Sequence, residues 1–158
     1  MDFATDKRTI GCILEDKAET NSGKIFFHFE DENFTYSETN KLANKVANGY
    51  SSLGVKKGDK VIVMLPNCAE FIFNWFGLAK LGAVGCPINI AYKGDLLRHV
   101  ILISDAKAVV IHEDFLERII PLQDDLSCIE KVIIFNPSGK KPDVEIKLLI
   151  VTFDDLIN

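Results

Sequence analysis

The chain has 158 residues, of which 47% are apolar and 26% are charged, and its formal net charge is −5. This composition is typical of a globular protein with a buried core and excludes a disordered or fibrous chain. The negative charge argues against nucleic acid as a partner, because a phosphate-binding surface needs clustered Lys and Arg. The N-terminus lacks the apolar segment of a secretory signal, and no apolar run is long enough to span a bilayer. We therefore expect a cytoplasmic protein without a transmembrane segment.

The N-terminal part predicts a helix followed by a β-hairpin. Apolar residues from Thr9 to Ala18 recur at helical spacing, with charged residues between them. The run Lys24–Phe29 predicts a strand, and residues 33–35 can return beside it after a turn.

A capped helix and a buried strand come next. Thr35 and Glu38 have the spacing of a capping box, and the helix predicted behind them ends at Gly54. Lys60–Leu65 is a continuous apolar run rich in β-branched residues, which indicates a strand covered on both faces.

The most apolar helix is predicted over Cys68–Leu81. Asn67 is interpreted as its N-cap, with Glu70 three residues further on and able to reach back. Apolar side chains occur on nearly every side of this helix, so we expect it to be the most buried one, with Trp75 shielded from solvent. The apolar run after it implies parallel pairing with the preceding strand through a helical crossover.

The alternation of strand and helix then continues. The predicted elements are strand Ala83–Ile88, helix Asp95–Ser104, strand Ala108–His112, helix Glu113–Ile120 and strand Lys131–Phe135. Within the first of these helices, Leu96, Leu97, Val100 and Ile101 are expected to point inward, and Pro121 is expected to end or bend the second. A loop over Asn136–Asp143, a strand within Val144–Val151 and a helix beginning at Thr152 complete the sequence.

These elements predict an α/β fold: a mostly parallel, doubly wound sheet in three layers, with a small N-terminal hairpin. We divide the chain into the helix and hairpin (9–36), the α/β core (37–135), and a loop with the start of a further element (136–158).

Cys12, Cys68, Cys86 and Cys128 show neither C-x-x-C spacing nor a histidine at a zinc-finger interval. In a cytosolic chain they are most simply buried residues. Cys68 has one alternative interpretation, as a reactive thiol, since a helix N-terminus can lower the pKa of a thiol. No base lies beside it in sequence, so burial is the preferred interpretation.

Doubly wound sheets bind ligands at the carboxyl ends of their strands, and the first such end is Leu65–Cys68. Pro66 removes a backbone donor there, and no G-x-G-x-x-G follows any strand, so a dinucleotide site is not expected. Ser138–Lys140 superficially resembles a phosphate loop. It lacks the upstream glycine and the following Ser or Thr, so a surface turn is favoured.

The three histidines, His28, His99 and His112, have no spacing suited to a metal or a proton relay. His112, with Glu113 and Asp114 beside it, is the best candidate for a functional residue at a strand end. The more ordinary role, capping the next helix, is preferred. Taken alone, the residues assign no catalytic, cofactor-binding or metal site.

A resemblance to a known family extends this interpretation. The segments Phe34–Glu38, Leu53–Val61, Lys80–Ala83 and Pro87–Asn89 resemble, in order and spacing, the opening of the AMP-forming acyl-CoA synthetases. The resemblance covers roughly residues 10–134. Within the superfamily, residues 67–80 are similar to the crotonobetaine/carnitine–CoA ligases, and residues 91–98 also to the fatty-acid ligases and transport proteins.

The resemblance implies a two-step reaction in which a carboxylate attacks Mg·ATP to give an acyl-adenylate, and coenzyme A then displaces AMP. Family members are much longer, and their phosphate loop and catalytic lysine come later in the chain. The resemblance thus implies that residues 1–158 are a partial N-terminal AMP-binding domain, inactive alone, with no catalytic, cofactor-binding or metal residue. Its expected partners are the rest of its own polypeptide and, through exposed apolar surface, a second copy of the chain. The alternatives are a stand-alone module that binds an acyl chain or a protein, and an unrelated flavodoxin-like domain.

Overall fold

The computed structural model describes residues 9–139 and 147–158. Helix α1 (Ile10–Thr20) begins after Thr9, whose side chain accepts a hydrogen bond from the backbone N–H of Cys12. Strands β1 (Ile25–Phe29) and β2 (Glu32–Thr35) pair antiparallel as a hairpin. The helix and hairpin predicted at the N-terminus are therefore confirmed.

Helix α2 (Tyr36–Ser52) begins with the predicted capping box. The Thr35 Oγ1 accepts from the Glu38 N–H at 3.2 Å, and the Glu38 carboxylate accepts from the Thr35 N–H at 2.9 Å. Two backbone donors that the helix cannot satisfy itself are thus bonded. The chain leaves the helix through Gly54, whose φ of 85° is readily adopted only by glycine.

Five parallel strands form the central sheet, in the order β4-β3-β5-β6-β7. They are β3 (Lys60–Met64), β4 (Val84–Pro87), β5 (Ala108–His112), β6 (Lys131–Phe135) and β7 (Leu149–Thr152). The predicted fold class, a parallel α/β sheet with a small hairpin, is confirmed.

Helices cover the sheet on both sides. They are α2, already described, and α3 (Ala69–Leu81), α4 (Gly94–Ser104), α5 (Leu116–Ile119) and α6 (Phe153–Ile157). Successive strand residues point to opposite faces, so Val61 and Val63 pack with α2, α3 and α6, whereas Ile62 and Met64 pack with α4 and α5. We call these the α2–α3 face and the α4–α5 face.

The α2–α3 face is held by close helix contact and one buried polar pair. A Cβ placed on Gly77 of α3 would lie 2.6 Å from the Val46 side chain of α2, so the backbones approach more closely than an alanine would allow. Beside this contact, the fully buried Tyr50 hydroxyl donates to Asn74 Oδ1 at 2.7 Å. The Asn74 amide in turn donates to the Glu70 carbonyl at 2.9 Å. These contacts fix α2 against α3.

The predicted start of α3 is wrong. Cys68, not Asn67, is the N-cap, and its side chain forms no capping hydrogen bond. The backbone is still extended at Cys68, with φ −156° and ψ 162°, so the helix begins one residue later than a cap at Asn67 would place it. The end is as expected, since Gly82 adopts the left-handed conformation at φ 75°.

Two predicted burials are also wrong. Trp75 is 54% exposed and Leu96 is 53% exposed. One side of α3 packs on α2 and the sheet, and the side that carries Trp75 faces outward in the described part of the chain. Leu96 lies in the first turn of α4, where Leu97 and Ile101 alone make the fully buried face.

The helix predicted over Glu113–Ile120 is three short pieces: a 3₁₀ turn over Glu113–Phe115, α5, and a 3₁₀ turn over Ile120–Leu122. Pro121 lies in the first part of the last piece. A backbone N–H at that position would have no partner within the turn, so the proline costs no hydrogen bond. The final strand covers only Leu149–Thr152, and residues 140–146 of the predicted loop and strand lie outside the described residues. The helix predicted at Thr152 is confirmed.

Candidate functional site

Because the strands of the sheet are parallel, the loops that follow them meet at one edge, which we call the carboxyl rim. The strand order reverses at β3, with β4 on one side and β5 on the other. The helices that follow β3 and β5 lie on opposite faces of the sheet, so the topological switch point falls between these two strands. Residues 65–68 and 112–115 flank it, which are the two strand ends singled out from the sequence.

His112 ends β5 and caps the turn that follows. Its Nδ1 accepts from the Asp114 N–H at 3.2 Å, and the Asp114 carboxylate lies 3.5 Å from the same nitrogen. The ring contacts Phe115 and Phe135, with centroids 5.7 and 5.5 Å away, and the side chain is only 12% exposed. The preferred prediction, a capping role, is confirmed. His28 on the hairpin and His99 on α4 lie on exposed surfaces elsewhere, so the structure brings no two histidines together.

Glu113 joins two loops of the rim. Its carboxylate accepts from the Ser138 N–H at 2.9 Å and from the Ser138 hydroxyl at 2.6 Å. The Gly139 N–H donates to the Asn136 carbonyl at 2.9 Å and closes a turn, with Gly139 at φ 66°. The predicted surface turn is confirmed for Ser138 and Gly139, whereas Lys140 lies outside the described residues, and the serine donors bind the Glu113 carboxylate. The contact between Glu113 and Ser138 was not predicted from the sequence. Its only signal was an acidic residue directly after a strand.

The loop after β4 is tied to α5. Asn89 Oδ1 accepts from the Ala91 N–H at 2.8 Å, which makes an Asx turn. Arg118 donates to the Ile90 carbonyl, and its guanidinium lies 4.6 Å from the centroid of the Phe115 ring. Arg118 is thus occupied by a backbone oxygen and an aromatic face. No sequence motif pointed to this contact.

Cys68 is not an activated thiol. Burial raises the pKa of Cys68 to about 11, and the Glu70 carboxylate beside it acts in the same direction. The N-terminus of α3 therefore does not yield a thiolate at neutral pH. All four cysteines are free and half-buried, so the expectation of full burial is too strong.

The described residues of the rim do not fit a magnesium triphosphate. Pro66 offers no N–H, the Ser138 donors bond Glu113, and the carboxylates of Glu113 and Asp114 would repel phosphate. Across residues 9–139 and 147–158 there is also no group of three or more His, Cys, Asp or Glu side chains placed to hold a metal ion. We therefore assign no nucleotide contact to these residues.

A second concave surface lies away from the rim, between α3 and the outer edge of β4. This β4 groove has a cavity of about 300 Å³ and is lined chiefly by Ile10, Phe71, Trp75, Ala79, Val84 and Pro87. The most exposed apolar residues of its lining are Trp75, Val84 and Ile10, at 54%, 47% and 42% exposure. The groove is the place where the outward side of α3 remains uncovered.

Within the described segments, no helix combines the length and apolarity needed to cross a bilayer.

Comparison with solved structures defines the class first. The anthranilate CoA ligase AuaEII, solved with anthranoyl-AMP, superposes on 82% of this chain and 25% of its own, with a TM-score of 0.77 and 26% identity. The coronafacic acid ligase of Pectobacterium brasiliense superposes on 94% of this chain and 29% of its own, with a TM-score of 0.83 and 19% identity. The fold is that of a domain found in acid ligases.

The family follows from the sequence. The model of the AMP-binding enzymes matches residues 14–148, and the chain belongs to that family. The crotonobetaine/carnitine–CoA ligase of Proteus mirabilis is 40% identical over 108 residues, covering 65% of this chain and 21% of its own length. The enzyme of the same name from Salmonella arizonae is 53% identical over 81 residues, covering 49% and 14%. The chain thus spans about a fifth of the length of the curated relatives it matches, and the resemblance derived from its motifs is confirmed.

Proposed function

We propose that this chain forms the first α/β unit of an AMP-forming acid–CoA ligase, and that it acts there as scaffold. The observation that carries the proposal is the 40% identity to crotonobetaine/carnitine–CoA ligases over 108 residues, inside a family match that covers most of the chain. Residues 9–36 would provide an N-terminal helix and hairpin, residues 37–135 the α/β core, and residues 136–158 the start of a further element.

The longer enzyme would join a carboxylate to coenzyme A at the expense of ATP, with release of AMP and pyrophosphate. ATP, Mg²⁺ and coenzyme A would be held by residues outside this chain. The contacts of the rim support this division, because its histidine caps a turn, its arginine binds a carbonyl and its serine binds a carboxylate. Adenylation needs preorganised donors around the phosphates, and removing one such donor costs roughly 10²–10³ in rate. We therefore expect the isolated chain to be inactive.

We place crotonobetaine and carnitine ahead of fatty acids as the carboxylates of the longer enzyme, since these are the substrates in the names of the matched relatives. We place the enzyme in the cytoplasm, which is supported by four cysteines that form no disulfide.

The test compares the chain with a chimera in which the matching segment of this chain replaces its counterpart in the Proteus mirabilis ligase, over the 108 aligned residues. ATP–pyrophosphate exchange is measured with crotonobetaine, carnitine and a panel of fatty acids. The chimera should catalyse exchange dependent on crotonobetaine or carnitine, and the isolated chain should not exceed a heat-inactivated control. Exchange by the isolated chain, or a folded chimera without exchange, would overturn the proposal.

The β4 groove favours one alternative, a stand-alone module that holds an acyl chain. The groove is apolar and open to solvent, and the protein's one tryptophan lies in its wall. Titration with palmitate, followed by Trp75 emission, separates the two functions. A saturable blue shift at a single site would support the module, whereas no shift below the critical micelle concentration would dismiss it.

A further inference from the structure

We draw no further inference here: the strongest candidate, the apolar stripe that Leu96 and Ile103 form on the outward side of α4, carries none because nothing in the structure shows what covers it.

Discussion

The two faces of the sheet achieve their packing in different ways. On the α2–α3 face, glycines allow the backbone of one helix to approach a side chain of its neighbour, as Gly77 of α3 does with Val46 of α2. The hydrogen-bonded pair Tyr50–Asn74 is buried between these two helices. On the α4–α5 face the buried residues are all apolar, and they fill space without a comparable glycine contact or buried polar pair among the described residues. The glycine contact and the buried hydrogen bond favour one arrangement of the helices on the α2–α3 face. The stability of the α4–α5 face depends instead on how well its apolar side chains fill the available volume. The two faces should therefore fail under different substitutions.

The largest effect is expected from removing volume on the α4–α5 face. Ile101 is fully buried, so Ile101→Ala should lower the free energy of unfolding by about 2–5 kcal/mol through lost burial and a cavity. Urea denaturation with linear extrapolation measures the change. Ile103 lies two residues further along the same helix and is 67% exposed, so Ile103→Ala should change stability by less than about 0.5 kcal/mol. Equal losses in the two variants would contradict the assignment of the buried face of α4.

Adding volume should damage the α2–α3 face. Gly77→Ala would place a Cβ 2.6 Å from Val46 and 3.0 Å from the Ala43 carbonyl. The helices must then separate, and we expect a loss of about 1–3 kcal/mol, despite a gain of up to about 1 kcal/mol in helix propensity. Gly23→Ala is the control, since its Cβ would meet nothing within 4 Å. A stabilised Gly77→Ala variant in the same urea titration would show that α2 and α3 are free to move apart.

The buried pair gives the next effect. Tyr50→Phe keeps the ring and leaves the Asn74 Oδ1 without its donor, which should cost about 1–3 kcal/mol. Tyr92→Phe serves as the control, because Tyr92 packs on the other face and is only partly buried. If the two variants were equally stable, the hydrogen bond between α2 and α3 would contribute nothing.

The same pair predicts a pH dependence at alkaline pH. Burial raises the pKa of Tyr50 above its ordinary value near 10, so the folded protein retains the neutral phenol. This contribution to stability is fully present below that value and is lost as the pH rises above it. The wild-type chain should therefore lose stability faster above pH 10 than Tyr50→Phe does, as measured by thermal melts across that range.

The smallest effects concern the helix starts, which differ between the faces. Helix α2 has a capping box at Thr35, whereas the N-cap of α4, Lys93, forms no side-chain hydrogen bond. Thr35→Ala should destabilise by about 1 kcal/mol, and Lys93→Ser should stabilise by up to about the same amount. Hydrogen bonds from Thr35 lower the pKa of Glu38, so its contribution is present above the ordinary pKa and fades as the pH falls below it. The loss in Thr35→Ala should accordingly shrink in acidic buffer, and a loss unchanged by pH would contradict a role for the Glu38 carboxylate.

The sequence predicted the layers of the fold because its local signals agree with one another. Ala108–His112 and Lys131–Phe135 are strands with the predicted bounds, since each is a short β-branched run between polar residues. The capping box of Thr35 and Glu38 correctly predicts the residue at which α2 begins. Such signals concern contacts within a few residues, where spacing alone determines geometry.

Contacts between distant residues could not be predicted in this way. An all-round apolar helix indicates burial, yet periodicity does not say which neighbours cover it, so the exposure of Trp75 was missed. Gly77 and Asn74 in the same helix did carry a signal. A glycine within a helix is unfavourable unless backbones approach there, and an amide among apolar residues needs a partner. At the rim, the capping role of His112 followed from its position at a strand end, whereas the contact between Glu113 and Ser138 joins loops that only the sheet brings together.

The strand order has a consequence for how the chain folds. β3 pairs Val61 with Gly85 on one side and with Ala108 on the other, at roughly twice the sequence separation. Doubling the length of a closing loop adds only about 0.6 kcal/mol of entropy. The entropy cost of pairing with β5 is therefore hardly larger than that of pairing with β4. Four of the five residues of β5 are buried, whereas β4 is short and largely exposed. We expect the folding nucleus to join β3 to β5, with β4 docking after the transition state, so that substitutions in β4 change the unfolding rate and leave the folding rate nearly unaltered.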